Sequence, residues 1–203
     1  TNPAHQHRLA ELARDADIFV QGYRPGAIAA KGFSPERLAE LAPGIVCVSL
    51  CAYGHEGPWS GRRGFDSLVQ NANGLNHAEA EAAGVDYPKE LPAQALDHAS
   101  GFLMATGAMM ALKRQAEEGG SWLVRVSLAQ TGAWLEKLGR IEGGLAAPDL
   151  SKADVAPYLE VSESGFGRMT AVRHSAILSR TSAAWTRPSV PLGTHPDAWP
   201  AAA

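Results

Sequence analysis

The sequence predicts an α/β fold: a Rossmann-like parallel sheet with flanking helices and an extended C-terminal arm. Short apolar runs alternate with helical patterns through residue 138. The run at residues 45–50 is apolar almost throughout, which is typical of a strand buried on both faces of a parallel sheet. The tail from Trp185 contains four prolines, and these favour an extended arm over a packed element.

Helix and strand signals alternate in the first fifty residues. Residues 5–14 have apolar side chains at helical spacing, and residues 18–20 form a short apolar strand. The glycines and proline of residues 21–26 predict a loop after that strand. A second helix begins at Ser34, because a hydroxyl residue followed by proline and glutamate is a helix start signal, and the strand at 45–50 follows it.

The middle of the chain predicts more helix around one loop. We expect a helix over 65–75, with Leu68, Val69 and Ala72 facing the core, and a surface loop over 79–92. A long helix follows directly after Asp97. Its apolar side chains recur at helical spacing, which predicts a core-facing stripe of Phe102, Ala105, Thr106, Met109 and Leu112.

Composition changes near residue 140. A strand is predicted over 122–128 and a helix over 131–138, so residues 1–140 form the sheet-bearing part of the chain. Residues 141–203 form a short irregular segment and the arm, with one edge strand over 169–173. The glycines at 165–167 lack the context of a dinucleotide loop, and we interpret them as a turn.

Charge and cysteine content exclude several classes of protein. The formal net charge is −3, which disfavours nucleic acid as the main partner. The longest apolar stretch, residues 45–53, is shorter than the roughly 20 residues of a membrane helix. Only two cysteines are present and no signal peptide is recognisable, so we expect a cytoplasmic protein with free thiols.

Asp97 is the strongest candidate for a catalytic residue. It stands immediately before the long helix, where unpaired backbone amides and the helix dipole favour an ionised carboxylate. One interpretation is that Asp97 only caps the helix. The other is that it is a nucleophile that attacks an activated acyl group, with small residues at 99–101 allowing a substrate to approach.

Other candidate groups are weaker. His5 and His7 lie near the start of the chain and are expected to be solvated, so no metal site is predicted. Cys51 ends a strand, but no histidine is placed by a motif to activate it, and we expect an inert thiol. His55 and Glu56 could line an acyl pocket or occupy a surface turn.

Several segments, in order, resemble the class III coenzyme A transferases, the group that includes carnitine–CoA and formyl-CoA transferases. The matched blocks cover most of residues 9–138 and part of the tail. They are residues 16–26, 31–33, 48–49, 52–58, 63–66, 95–97, 126–128 and 191–195. Each block is short, but their order and spacing make the set specific.

The resemblance implies a mechanism and a binding site. Asp97 would attack an acyl-CoA thioester to give a mixed anhydride, and the released thiolate would then form an aspartyl-CoA thioester that an incoming carboxylic acid attacks. Coenzyme A, as substrate, would contact Gly22, Tyr23, Arg24, Lys31, Ala52 and Tyr53, although Arg24 could equally serve only to fix its loop. The partners would be an acyl-CoA, a small carboxylic acid, and a second copy or another chain in a dimer.

Some positions depart from the family pattern. Gly22 replaces the usual asparagine, and Phe65 replaces the histidine base of the related racemases, which disfavours α-proton exchange. The family's second small domain, with its glycine-rich loop, is not recognisable between residues 139 and 154. Two alternatives therefore stay open: a partial or non-catalytic transferase module acting in a larger assembly, and a plain α/β binding domain in which Asp97 is a cap.

Overall fold

A computed structural model of the chain describes residues 2–200, which divide into two compact units, residues 2–142 and 143–200. The first unit contains a parallel sheet of three strands: β1 (Ile18–Gln21), β2 (Val46–Cys51) and β3 (Trp122–Ser127). β2 lies in the middle and pairs in parallel with both neighbours. The predicted α/β fold with a parallel sheet is therefore confirmed.

Helices cover both faces of this sheet. In the described part of the first unit they are α1 (Pro3–Arg14), α2 (Pro35–Leu41), α3 (Asp66–Ala72), α4 (Leu75–Ala83), α5 (Ala95–Glu118) and α6 (Leu128–Lys137), with a 3-10 turn at Ala29–Lys31. The cap of α2 is the predicted one, since the Ser34 side chain accepts a hydrogen bond from the Arg37 amide at 3.2 Å. Ser127 caps α6 in the same way, so that helix begins at Leu128, three residues earlier than expected.

The alternation of β2 side chains builds two cores. Cys47 packs with α1 and α2 on one face, whereas Val46 and Val48 pack against Ala108 and Ala111 of α5 on the other. Both faces of the central strand are thus removed from water, which accounts for the continuous apolar run in its sequence. A third cluster, Ala52, Val69, Leu75, Leu96 and Leu128, lies beyond the carboxyl ends of β2 and β3.

The expected helix over 65–75 and loop over 79–92 are wrong in their bounds. Gly74 has a φ of 90°, in the left-handed region, so the chain turns there and starts a second helix, α4, that occupies the first part of the expected loop. Val69 is fully buried as expected, but Leu68 is 55% exposed. The continuous apolar spacing concealed a turn that only the glycine makes possible.

The expected core-facing stripe of α5 is wrong at most of its positions, although Leu112 is partly buried against the sheet. Phe102 and Met109 are 56% and 64% exposed, and the buried positions are Leu96, Ser100, Ala108 and Ala111. Small side chains occupy the buried stripe because α5 lies close against β2 and β3. Phe102, Leu103, Met109 and Met110 are exposed, whereas Met104 and Leu112 are partly buried against the core on the sheet.

Gly107 shows how close that packing is, and substituting it provides a test. A Cβ atom at Gly107 would lie 2.6 Å from Val124 Cγ1, so Gly107→Ala forces a stiff β-branched side chain to move. We expect Gly107→Ala to lower the free energy of unfolding by up to about 2 kcal/mol, because overpacking of about 1–3 kcal/mol exceeds the gain in helix propensity of about 1 kcal/mol. Urea unfolding measures this change.

The matched control is Gly101→Ala in the same helix. A Cβ atom at Gly101 would meet no heavy atom within 4 Å, so only the propensity gain of up to about 1 kcal/mol remains. Equal effects of the two substitutions would contradict the close approach of α5 to β3.

The second unit is built on an antiparallel hairpin. Its elements are α7 (Lys152–Val155), β4 (Leu159–Ser164) and β5 (Gly167–Val172). The sequence predicted the second strand but missed β4, whose residues are mostly exposed and show no apolar stripe. The residues between the strands form the expected turn, and the Gly165 amide donates to the carbonyl of Ser189 at 2.9 Å, so the start of the tail packs on this turn.

Candidate functional site

A cavity of about 110 Å³ lies where the carboxyl ends of the three parallel strands meet. Ligands of parallel α/β sheets characteristically bind at this edge. Side chains and backbone from the residues that follow each strand form its wall, together with the first turn of α5. Its lining residues are Gly22, Tyr23, Arg24, Leu50, Cys51, Ala52, Arg62, Gly64, Phe65, Asp97 and Leu128.

This Asp97 cavity brings together most of the residues that the sequence selects. Gly22, Tyr23, Arg24, Ala52 and Asp97 all line it. A Cβ atom at position 22 would meet no heavy atom within 4 Å, so a side chain as large as asparagine has room there. The loop after β1 therefore faces the candidate nucleophile across open space.

Two selected residues lie elsewhere. Tyr53 lines a neighbouring, larger cavity of about 640 Å³ that also contains His55, Glu56 and Arg125. Lys31 ends the 3-10 turn after β1, and its carbonyl accepts a hydrogen bond from the Gln6 side chain at 2.9 Å. Neither Tyr53 nor Lys31 is part of the Asp97 cavity wall.

The sequence suggested Asp97 as the N-cap of the long helix, but the structure does not place it there. The helix begins two residues earlier, at Ala95, and its cap position is Gln94. Leu96 is fully buried in the third core cluster, and this anchors the first turn upstream of Asp97. The backbone amides of Ala95, Asp97 and His98 already have protein acceptors, so those three are not free to stabilise an oxyanion.

The side chain of Asp66 holds the backbone of the first turn of α5. It is fully buried at the start of α3, and its Oδ2 accepts the Asp97 amide at 2.9 Å. Its other oxygen, Oδ1, accepts a hydrogen bond from the Gln70 side-chain nitrogen. Gln70 in turn accepts the Leu91 amide at 3.2 Å, which ties the preceding loop to the same network. The backbone of Asp97 is thereby held by a buried carboxylate.

The surroundings of Asp97 raise its pKa above the ordinary value of 3.8. Partial burial is the main cause, and the nearby Asp66 carboxylate adds to it, whereas His98 acts in the opposite direction. A raised pKa means a more basic carboxylate oxygen, which is a better nucleophile once ionised. The position of Asp97 in the first helical turn favours the ionised form by its dipole.

A pair of buried hydroxyls joins α5 to α6 about one helical turn after Asp97. The Thr131 hydroxyl donates its hydrogen to the Ser127 carbonyl at 3.1 Å. Because that hydrogen is already used, Ser100 is the donor in the 2.8 Å hydrogen bond between the two hydroxyls. Ser100 and Thr131 are almost completely inaccessible to solvent. The two helices whose first turns border the cavity are therefore held in register.

No sequence motif places a histidine next to Cys51, but the structure brings His55 beside it. Cys51 Sγ lies 3.4 Å from Nδ1 of His55, and the other ring nitrogen of His55 lies 3.1 Å from Ser49 Oγ. Gln21 donates to the same hydroxyl. Burial raises the pKa of the Cys51 thiol and, together with Arg125, lowers the pKa of His55. Both groups are therefore favoured in their neutral forms, and the thiol is not activated as a thiolate.

Arg62 belongs to an aromatic stack at the rim of the cavity. Its guanidinium carbon lies 4.4 Å from the ring centroid of Trp59. The rings of Tyr53 and Trp59 are perpendicular, at a centroid distance of 5.2 Å and an interplanar angle of 88°. Gly64 leaves room for the Tyr53 ring, because a Cβ atom at position 64 would lie 3.0 Å from Tyr53 Cε2 and 2.8 Å from Ala52 Cβ.

Sequence reasoning assigned no role to Asp66 or Arg62. Asp66 carried one signal: Gln70 follows it by one helical turn, on the side of the helix that buries Val69. Arg62 carried none, because its place at the cavity depends on a loop whose path cannot be read from residue spacing. Across residues 2–200, no group of three or more metal-ligating side chains converges, and no helix has both the length and the apolarity to cross a membrane.

Comparison with known proteins identifies related chains. Residues 1–149 match the family model described as CoA-transferase family III. The succinyl-CoA:glutarate CoA-transferase of Homo sapiens is 36% identical over 103 residues, which are 51% of this chain and 23% of the relative. The acetyl-coenzyme A transferase nodX of Hypoxylon pulicicidum is 32% identical over 134 residues, 64% of this chain and 23% of the relative.

A solved structure agrees with the fold. The crystal structure of a hypothetical protein, Rv3272, from Mycobacterium tuberculosis superposes with a TM-score of 0.62 at 28% identity, over 68% of this chain and 39% of that one. The curated description of that protein is a probable fatty acyl-CoA transferase, of which this chain spans 34%. The chain thus spans about a quarter to a third of the length of these curated relatives.

Proposed function

The chain belongs to CoA-transferase family III, and from that premise we propose that it transfers coenzyme A from an acyl-CoA to a carboxylic acid with Asp97 as nucleophile. The observation that carries the proposal is the position of Asp97 in the cavity at the carboxyl ends of the strands, facing the loop after β1. Relatives named as acyl-CoA and succinyl-CoA transferases support the reaction class.

The proposed reaction proceeds by acyl exchange at the Asp97 carboxylate. Its oxygen attacks the thioester carbonyl, the carbon–sulfur bond breaks, and a mixed anhydride and a CoA thiolate form. The thiolate attacks the aspartyl carbonyl, releasing the donor acid and leaving an aspartyl-CoA thioester. The acceptor carboxylate then displaces the thiolate to give a second anhydride, and the thiolate attacks its acyl carbon to release the new acyl-CoA. No net proton is consumed.

Coenzyme A is the substrate of this reaction, and we assign its thiol end to the Asp97 cavity. The backbone of Gly22 and Ala52 and the side chain of Tyr23, which is 65% exposed, form the wall available to the pantetheine arm. Lys31 and Tyr53, outside this cavity, are assigned to more distant parts of coenzyme A. A cationic side chain such as Lys31 suits a phosphate.

The proposal includes an assembly and a compartment. Large apolar side chains on the outer side of α5, among them Phe102, Met109 and Met110, are exposed, which supports a homodimer or a partner chain covering them. The free thiols of Cys47 and Cys51 support a reducing compartment, the cytoplasm.

The experiment is interception of the activated aspartate by hydroxylamine. The chain is incubated with a panel of acyl-CoAs and hydroxylamine, digested, and analysed by mass spectrometry. An Asp97 hydroxamate is the expected result, because both the anhydride and the thioester are acyl-activated at that carboxyl. A folded protein that yields no hydroxamate at any residue would contradict transfer by this chain alone.

A further inference from the structure

A chain of hydrogen bonds links the three parallel strands at the edge where the Asp97 cavity lies. It begins at the backbone amide of Tyr23, which donates to Oε1 of Gln21 at 2.8 Å. The Gln21 side-chain nitrogen donates to Ser49 Oγ on β2, and Ser49 Oγ lies 3.1 Å from Nε2 of His55. The chain thus connects the loop after β1, which forms one wall of the cavity, to the loop after β2.

The chain continues through the other ring nitrogen of His55. Nδ1 lies 3.4 Å from Cys51 Sγ at the end of β2. The Cys51 thiol, a weak donor, in turn lies 3.9 Å from the carbonyl oxygen of Val126 on β3 and donates to it. Tyr23, at one end of the chain, and Cys51, near the other, both line the Asp97 cavity.

Only one arrangement of the hydrogens along this chain gives each of them an acceptor. The Tyr23 amide fixes the Gln21 oxygen, so the Gln21 nitrogen faces Ser49, whose oxygen accepts. The single hydrogen of the Ser49 hydroxyl is then directed to His55 Nε2, which accepts it only when that nitrogen carries no proton. The proton of the neutral ring therefore lies on Nδ1, where it points to the Cys51 sulfur.

A second proton on His55 would break this arrangement. Nε2 would become a donor, so the Ser49 oxygen would face two donors and the Ser49 hydrogen would lose its acceptor. Arg125 of β3 disfavours the charged ring, Glu56 favours it, and the Cys51 thiol is neutral because burial raises its pKa. Burial and Arg125 prevail, and they lower the pKa of His55 below its ordinary value of 6.5.

We propose that His55 is a positioning residue for coenzyme A that acts through this hydrogen-bond chain on the backbone of Tyr23, an inference that rests on the proposed transferase function. His55 does not line the Asp97 cavity, and the chain transmits its effect to the loop at 22–24 that does. The neutral ring holds this loop in place, and the doubly protonated ring releases it. Binding of coenzyme A is therefore coupled to a proton on a side chain outside the cavity.

Two measurements on the whole chain test the proposal: hydrogen exchange at the Tyr23 amide and the affinity for coenzyme A. His55→Ala is expected to speed the exchange and to weaken coenzyme A binding about tenfold, the size of one hydrogen bond. His55→Gln is expected to restore both, because its side-chain oxygen can accept the Ser49 hydrogen. His77→Ala is the matched control, since His77 is exposed and does not line the cavity.

The pH dependence of binding separates positioning from packing. Below pH 6.5, the affinity of the parent chain for coenzyme A is expected to fall more steeply than that of His55→Gln, because only the histidine gains a proton. The phosphates of coenzyme A titrate alike with both proteins, so the difference between the profiles reports position 55. Nitrogen-15 spectra at neutral pH should show hydrogen on Nδ1 of His55 and none on Nε2.

A break in the middle of the chain tests whether these residues act as one unit. Ser49→Ala is expected to weaken coenzyme A binding as much as His55→Ala does, and the double variant is expected to lose no more than either. Thermal unfolding verifies that each variant folds. Additive losses would overturn the proposal, as would a His55→Gln variant no better than His55→Ala.

Other outcomes separate this proposal from the transferase proposal. Hydrogen on Nε2, a pH profile shared by the parent and His55→Gln, or unchanged Tyr23 exchange in His55→Ala would overturn the positioning role even if Asp97 yields its hydroxamate. Tyr23 exchange and coenzyme A binding that depend on His55, without any hydroxamate, would support the positioning role and contradict only the transfer reaction.

Discussion

Asp97→Asn is expected to abolish formation of the acyl adduct, lowering its rate by at least about a thousandfold. The amide has the same shape but no anionic oxygen to attack a thioester. Because the structure gives Asp97 no capping role, the substitution removes a nucleophile and not a helix cap. The rate of hydroxamate formation measures the effect. Rates within tenfold of the unsubstituted chain would rule out Asp97 as nucleophile.

The same substitution is expected to stabilise the fold at neutral pH. The pKa of Asp97 is raised by burial and by Asp66, so the folded state holds the proton more tightly than the unfolded state does. Stability is therefore lost as the pH rises through the window between the ordinary value of 3.8 and the raised pKa, and the loss is complete above it. Asn, which is never charged, avoids this loss. Urea unfolding at several pH values should find Asp97→Asn more stable near pH 7 and equal to the parent below the window.

A loss of adduct formation together with a gain in stability distinguishes a functional residue from a structural one. A residue that serves packing costs stability when it is removed, whereas an ionised carboxylate kept in an unfavourable environment yields stability when it is removed. Asp86→Asn is the control, because Asp86 is exposed and loses the same charge. Stabilisation by both substitutions to the same degree would indicate a general effect of net charge.

The sequence predicted the sheet better than it predicted the surroundings of the site. The run at 45–50 and the Ser34 cap depend on local patterns, so β2 and α2 lie where expected. The buried stripe of α5 could not be predicted, because Ala108 and Ala111 are buried by the close approach of the sheet and not by their own size. Residue spacing shows which side chains are apolar, but it does not show how closely the sheet approaches the helix.

The candidate site divides along the same line. Asp97 and the loop at 22–24 were selected from short motifs, and they line one cavity. The contact of Asp66 with Asp97 joins two helices, and the contact of Cys51 with His55 joins a strand to the loop that follows it. Hydrogen-bond partners of this kind are set by tertiary packing, and residue spacing alone does not identify them.

Asp66→Asn is expected to lower the pKa of Asp97 and to shift the pH dependence of adduct formation to lower pH. The Asp66 carboxylate raises that pKa, and an amide removes its charge while leaving one oxygen to accept the Asp97 amide hydrogen. The amide nitrogen would face the donor group of Gln70, so the free energy of unfolding should also fall, by about 1.5–3 kcal/mol for a lost hydrogen bond to a charged group.

The pH profile separates an electrostatic role of Asp66 from a purely structural one. If Asp66 only holds the backbone, Asp66→Asn would slow adduct formation equally at every pH, and the midpoint of the profile would stay where it is. A ¹³C titration of the Asp97 carboxyl carbon gives the pKa directly and needs no turnover. A midpoint that does not move would refute the electrostatic role. A midpoint that moves toward 3.8 would establish that the buried carboxylate keeps the nucleophile basic.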